Sequence, residues 1–344
     1  MGSGMIKSVF DRYDTVIFDM DGVITSEEMY WNAAALTVYE YINSSDYFGK
    51  STIIPKELEK NVSDIRNTVF FGDKLIEVLK GKGVNSNWDL AYVTILIWII
   101  TESLDADIVL NYACGLSEDI ISEYKRLSEA AAAKKGVASA DYERNGKLWR
   151  EMQSCFQEWY LGDASFFDTY KKQPICEGKS GLIKSEQPIM DISDIDKLLS
   201  ELSKTKRLCI GTGRVDNEII PTLKAWNVLK YFAKDGLSTY SYVIEAEKNT
   251  KDNLTKPNPY MFLKALYGTD YPDCRILDGD YDSELIKSTL VVGDAGADIL
   301  AAKAMGADFC AVLTGVSGEK ARKYFEEQNA EYILSSVINM MEEN

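Results

Sequence analysis

Two textures follow one another along this chain. Val16, Ile17 and Phe18 form a short apolar run of strand formers between polar neighbours, which predicts a strand buried on both faces. After Gly22 the period lengthens, and Met29, Ala33, Leu36, Val38 and Tyr41 share one broad helical face. Thr25, with Glu28 three residues on, has the form of a capping box opening that helix, and Asn-Ser-Ser at 43–45 closes it. Pro55 suits the first turn of a second helix, and 70–79 predicts a third, stopped by Gly81. From 87 to 170 the pattern stays helical, without an alternating strand or an internal repeat. The aromatic segment of Phe156, Trp159 and Tyr160 has helical spacing, which makes it core before it is pocket lining.

The stretch 178–188, rich in glycine, lysine and serine, reads as a connector. Its Gly178-Lys179-Ser180 lacks the earlier glycine of a phosphate-binding loop, since Gln173 stands there. Beyond it, helix and strand alternate. Helices are expected over 194–203, 218–226 (with Pro221 early enough to be tolerated), 260–266 and 299–305, and strands over 208–210, 290–292, 309–313 and 332–334. This alternation implies an α/β fold with a doubly wound parallel sheet and right-handed crossovers, interrupted after its first strand by a helical block.

Composition removes several classes of function. A chain of 344 residues is long enough for two domains, and its formal charge of -16 disfavours nucleic acid or an anionic membrane as partner. The greasiest segment, 90–100, is about half of the roughly twenty residues a span needs, so it predicts a buried helix. The six cysteines include no Cys-x-x-Cys pair, which argues against a zinc site and fits reduced thiols in a cytoplasm. With no histidine, proton transfer falls to carboxylate, lysine, tyrosine, cysteine or water. Met1 to Gly4 reads as an artificial extension, and 6–10 is too short and mixed for a signal core.

The candidate chemistry lies at the strand ends. Asp19-Met20-Asp21-Gly22 follows the first strand, where an open parallel sheet collects its ligands. An EF-hand loop starting at Asp19 fails at Val23, Ile24 and Tyr30, and an acidic turn remains the plain alternative. Thr212 in Gly211-Thr212-Gly213-Arg214 and Asp294 with Asp298 end two further strands, and Lys256 precedes a helix between them. Each has a plain reading as a cap or a solvated side chain, but their order and placement argue for a site. The acidic turn 278–282 lacks the glycine and glutamate of a calcium loop and predicts a solvated surface.

In these four clusters the chain resembles the haloacid dehalogenase superfamily of phosphohydrolases. Asp19-Met20-Asp21-Gly22, Thr212, Lys256-Pro257-Asn258-Pro259 and Gly293-Asp294 with Asp298 carry the resemblance, together with Ala301 to Gly306. It implies a Rossmann-like core over 5–24 and 190–344 and a large helical cap over 25–189, placed as in the branch of phosphoglycolate phosphatase and β-phosphoglucomutase. By resemblance, Asp19 is the nucleophile, Asp21 the general acid and base, and Thr212 and Lys256 stabilise the phosphoryl group. Asp19, the Asp21 carbonyl and Asp294 would hold Mg²⁺, with Asp298, Gly213 and Arg214 supporting them. Ala295 departs from the serine or threonine common after the fourth-motif aspartate. The implied function is a cytoplasmic Mg²⁺-dependent phosphatase for a small phosphorylated metabolite, the cap serving as a lid. The alternatives are a sugar phosphomutase and, in another class, a non-catalytic binding protein on the same fold. Oligomeric state carries no signal.

Overall fold

The computed structural model describes residues 9–84, 86–117 and 119–341; the leader at 1–4 and most of 6–10 lie outside them. Two compact units divide the chain. One comprises Met1–Glu27 with Gln187–Asn344, and the other Glu28–Glu186.

The first unit is built on six parallel strands in the order β3-β2-β1-β4-β5-β6. These are β1 (Thr15–Phe18), β2 (Arg207–Gly211), β3 (Leu237–Ser238), β4 (Thr289–Gly293), β5 (Asp308–Val312) and β6 (Tyr332–Leu334). β1 lies at the centre, with Thr15 opposite both Arg207 and Thr289. All four of its residues are buried, as expected for a strand covered on both sides. The two-residue side-chain period sorts the core. Val16, Phe18, Leu208, Ile210, Leu290 and Val292 pack with Ile195, Leu199, Ile219 and Leu223 on one face. Ile17, Cys209 and Val291 pack with Phe262, Ile299, Ala302 and Phe325 on the other. Helices therefore cover both faces, and the expected doubly wound architecture is present. β3 was not foreseen, because two residues cannot display a period. Helix Asp216–Ala225 starts two residues earlier than its pattern indicates, which puts Pro221 past the first turn.

The second unit is helical around its own core. Helix Asn87–Thr101 is buried almost all round and capped by Ser86, whose Oγ accepts from the Trp88 N–H at 3.2 Å. Its buried Asp89 is compensated by Arg144 at 3.0 Å and Trp149 Nε1 at 2.9 Å. Pro55 does open helix Pro55–Lys60. The helix expected over 70–79 is instead two helices, Val62–Phe70 and Lys74–Gly81. Phe71, Gly72 and Asp73 all take positive φ between them and stop the first helix. Phe156, Trp159 and Tyr160 are core. Among the described residues no helix is long and apolar enough to cross a membrane.

The connector reading of 178–188 needs correction at one residue. Lys179 is fully buried, 2.6 Å from Glu158 and 3.0 Å from Glu40, and lies over the Trp159 ring. Burial opposes its charge, but Cys155, Glu40 and Glu158 around it raise its pKa overall. The lysine is a staple between helices Glu28–Asn43 and Lys147–Leu161, not a connector residue. Removing one partner of such a buried cluster strands the others. Lys179→Met should therefore destabilise this unit by about 3–5 kcal/mol, with partial recovery when Glu40→Gln and Glu158→Gln are added. Urea unfolding followed by tryptophan fluorescence checks both values.

Candidate active site at the carboxyl end of the sheet

Asp19 continues the sheet one residue past β1, its N–H donating to Val292 O at 2.8 Å, which fixes the carboxylate in the middle of the strand ends. Lys256 Nζ lies 2.8 Å from Asp19 Oδ1 and 2.8 Å from Asp298 Oδ1, and 4.7 Å from the Phe262 ring centre. Burial pushes the Asp19 carboxyl up to about 7; Lys256 opposes this, while Asp298 and Asp21 add to it. For Lys256 burial works against the charge, yet the two carboxylates raise its pKa and keep it an ammonium. Asp298 Oδ2 also accepts from the Ala295 N–H at 3.1 Å. The main chain at Ala295 is thus tied by Asp298 although this residue has no hydroxyl of its own.

Oxygens of Asp19, Asp294 and Asp298 lie within 4.8 Å of one another. The donors are all hard oxygen, with no thiolate or imidazole among them, which suits a Mg²⁺-type cation. Both oxygens of Asp298 are engaged, Oδ1 by Lys256 and Oδ2 by the Ala295 N–H. Two glycines make room for Asp294. A Cβ on Gly22 would stand 2.3 Å from Asp294 Oδ2, and one on Gly315 would stand 1.8 Å from it. Thr314 Oγ1 donates to Gly22 O, joining the loop after β5 to the loop after β1. Gly315 and Thr314 escaped the sequence reading. Their signal was a Thr-Gly pair after an apolar run, the same form as Thr212-Gly213.

The Asp21 carboxylate is not part of this acidic group. It turns to Arg214, whose Nη2 is 2.5 Å from Oδ1, and accepts from Thr25 Oγ1 at 2.9 Å. Thr25 therefore does not cap the following helix, which begins at Glu28. Its backbone bridges to Pro188, and the Ser26 N–H donates to Gln187 O at 2.9 Å, so the two chain crossings pair with each other. Thr212 is buried, its N–H donates to Ser238 O, and its Oγ1 accepts from the Arg214 N–H at 3.2 Å. A Cβ on Gly213 would meet nothing within 4 Å, so no steric demand for glycine is visible there. The turn 278–282 is a surface loop.

A family model described as HAD-hydrolase-like matches residues 253–340, the segment holding Lys256, Asp294 and Asp298. Over that segment the chain is similar to the haloacid dehalogenase-like hydrolases. An X-ray structure from the Northeast Structural Genomics Consortium is similar over 96% of this chain and 97% of its own, at 28% identity and a TM-score of 0.79. That likeness spans both the α/β core and the helical insert. Looser likenesses, at 14% identity, connect it to a Lactobacillus plantarum structure named as a candidate phosphoglycolate phosphatase and a Thermotoga maritima structure named as a candidate β-phosphoglucomutase. Their TM-scores are 0.43 (96% of this chain, 99% of that one) and 0.44 (96% and 97%). No curated protein matches the sequence significantly.

The crowding at Asp294 yields a direct test. Gly315→Ala must displace this carboxylate, and if Asp294 is a Mg²⁺ ligand the dissociation constant for Mg²⁺ should rise about 10–100-fold, the range for disturbed ligand support. Titration calorimetry with Mg²⁺, beside a thermal melt showing that the fold is kept, checks this.

Proposed function

We propose that this chain is a Mg²⁺-dependent phosphatase that hydrolyses a small phosphorylated metabolite through a phosphoaspartyl intermediate on Asp19. The Asp19–Lys256–Asp298 bridge carries the reading, because it aims a buried carboxylate at the carboxyl end of the central strand and fixes one of its oxygens. An attacking carboxylate needs this restraint, since phosphoryl transfer depends on positioning and charge compensation more than on covalent chemistry.

An oxygen of Asp19 forms a bond to phosphorus as the bond to the leaving oxygen breaks, and Asp21 gives that oxygen its proton. Asp21 then takes a proton from water, the water oxygen bonds to phosphorus, and the bond to Asp19 breaks to free phosphate. Lys256, the Thr212 hydroxyl and neighbouring N–H groups offset the charge on the phosphoryl oxygens. Bound Mg²⁺, held by Asp19, the Asp21 carbonyl and Asp294, would reduce the repulsion between the carboxylate and the phosphate. Asp298 holds Lys256 in place, and Gly213 and Arg214 complete the loop that carries Thr212. None of these steps requires histidine, which the chain lacks.

The test is hydrolysis of 4-nitrophenyl phosphate and a panel of sugar phosphates, with and without chelator. Wild-type turnover should vanish on chelation and return with Mg²⁺; undiminished turnover in chelator overturns the metal assignment. Asp19→Asn should abolish turnover while keeping the fold, and Asp21→Asn should slow it by about 10²–10⁴-fold. A folded and fully active Asp19→Asn protein would show that the nucleophile lies elsewhere.

A further inference from the structure

The contacts of Asp21 are unequal between its two oxygens. Oδ1 receives Arg214 Nη2 at 2.5 Å, Arg214 Nε at 3.0 Å and Thr25 Oγ1 at 2.9 Å. Oδ2 receives one donor, Arg214 Nε at 3.2 Å, which it shares with Oδ1. The Asp21 side chain keeps 24% of its surface exposed, whereas that of Arg214 keeps 1%. Arg214 is itself locked, its N–H donating to Thr212 Oγ1 and its carbonyl accepting from the Tyr240 N–H at 2.9 Å.

We propose that Arg214 is a positioning residue for Asp21: with Thr25 it pins Oδ1, and Oδ2 is the oxygen that exchanges the proton with the leaving group and with water. The inference rests on the phosphatase reading above and adds a division of labour within one carboxylate. A guanidinium usually grips a carboxylate through two parallel bonds, which treats both oxygens alike. Here Arg214 Nη2 and the Thr25 hydroxyl go to Oδ1 alone and Nε is shared between the two oxygens, so Oδ1 meets three donors and Oδ2 one. Oδ2 keeps acceptor capacity and is the freer of the two. A carboxyl anchored at one oxygen cannot turn about its last torsion, so the other oxygen stays where the pin puts it. Arg214 links this pin to Thr212, so the proton-transfer group and the phosphoryl-binding loop move as one.

The effect is separable from phosphate binding. Expelling an alkoxide needs the proton from Asp21, while expelling nitrophenolate needs it far less. The experiment compares kcat and KM of wild type, Arg214→Met, Arg214→Lys and Thr25→Val on 4-nitrophenyl phosphate and on the best alkyl phosphate of the sugar-phosphate panel. The ratio of alkyl to aryl kcat should fall about 10–100-fold in Arg214→Met, as expected for a misplaced reacting group, without a rise in KM. Arg214→Lys should restore part of the ratio, and Thr25→Val should lower it less. If Arg214→Met does not fold, the other two variants decide. Equal losses on both esters with a raised KM would make Arg214 a phosphate ligand instead, and unchanged ratios in Arg214→Lys and Thr25→Val would overturn the pin. Wild type inactive on every ester would refute the phosphatase reading itself, an outcome distinct from either of these.

Discussion

One buried ammonium governs how the loops at the carboxyl end of this sheet meet. Asp19 follows β1 and Asp298 lies in the first turn of helix Gly296–Met305, so each is placed by a different crossover. Brought together without compensation, two nearly buried carboxylates would repel and one would take up a proton. Lys256 contacts both at 2.8 Å and makes their proximity possible. Its own desolvation is costly, and the two carboxylates with the face of Phe262 offset that cost. Asp294 and the glycines beside it then face a wall whose position is already set.

The helical unit repeats this charge arrangement for a different end. Lys179 also stands between two carboxylates, but it, Glu40 and Glu158 are sealed from solvent. Around Lys256 some exposure remains, 8% for the lysine and 12% for Asp19. A sealed cluster can only hold helices together, whereas a slightly open one can also meet a ligand. Burial separates a staple from a site even where the residue types match.

Much of this was legible in the sequence. Val16 to Phe18, Leu290 to Val292 and their polar ends showed themselves because a strand covered on both faces is apolar throughout. Asp19, Thr212 and Asp294 could be named because they sit where such strands stop, and Lys256 because it precedes a helix between them. The Phe71–Asp73 break was hidden, since its left-handed residues lie inside an otherwise helical pattern. Thr25 had the form of a cap, and only tertiary contact decides between a backbone N–H and the Asp21 carboxylate. Lys179 read as part of a connector because its two acids come from positions 40 and 158, far off in the chain. Gly315 could not be read without knowing that Asp294 lies against it.

The central place of β1 has a consequence for synthesis. The strand leaves the ribosome before its partners on either side, Arg207–Gly211 and Thr289–Gly293. Until both exist, Val16 to Phe18 and the acids after them have no sheet to join. The whole helical unit, with a core of its own, emerges in the interval and is able to compact first. Non-local pairing of this kind is slow, and an unpaired apolar strand in waiting is open to wrong partners. β1 and the acids that follow it are therefore the part of the sheet that waits longest for its partners.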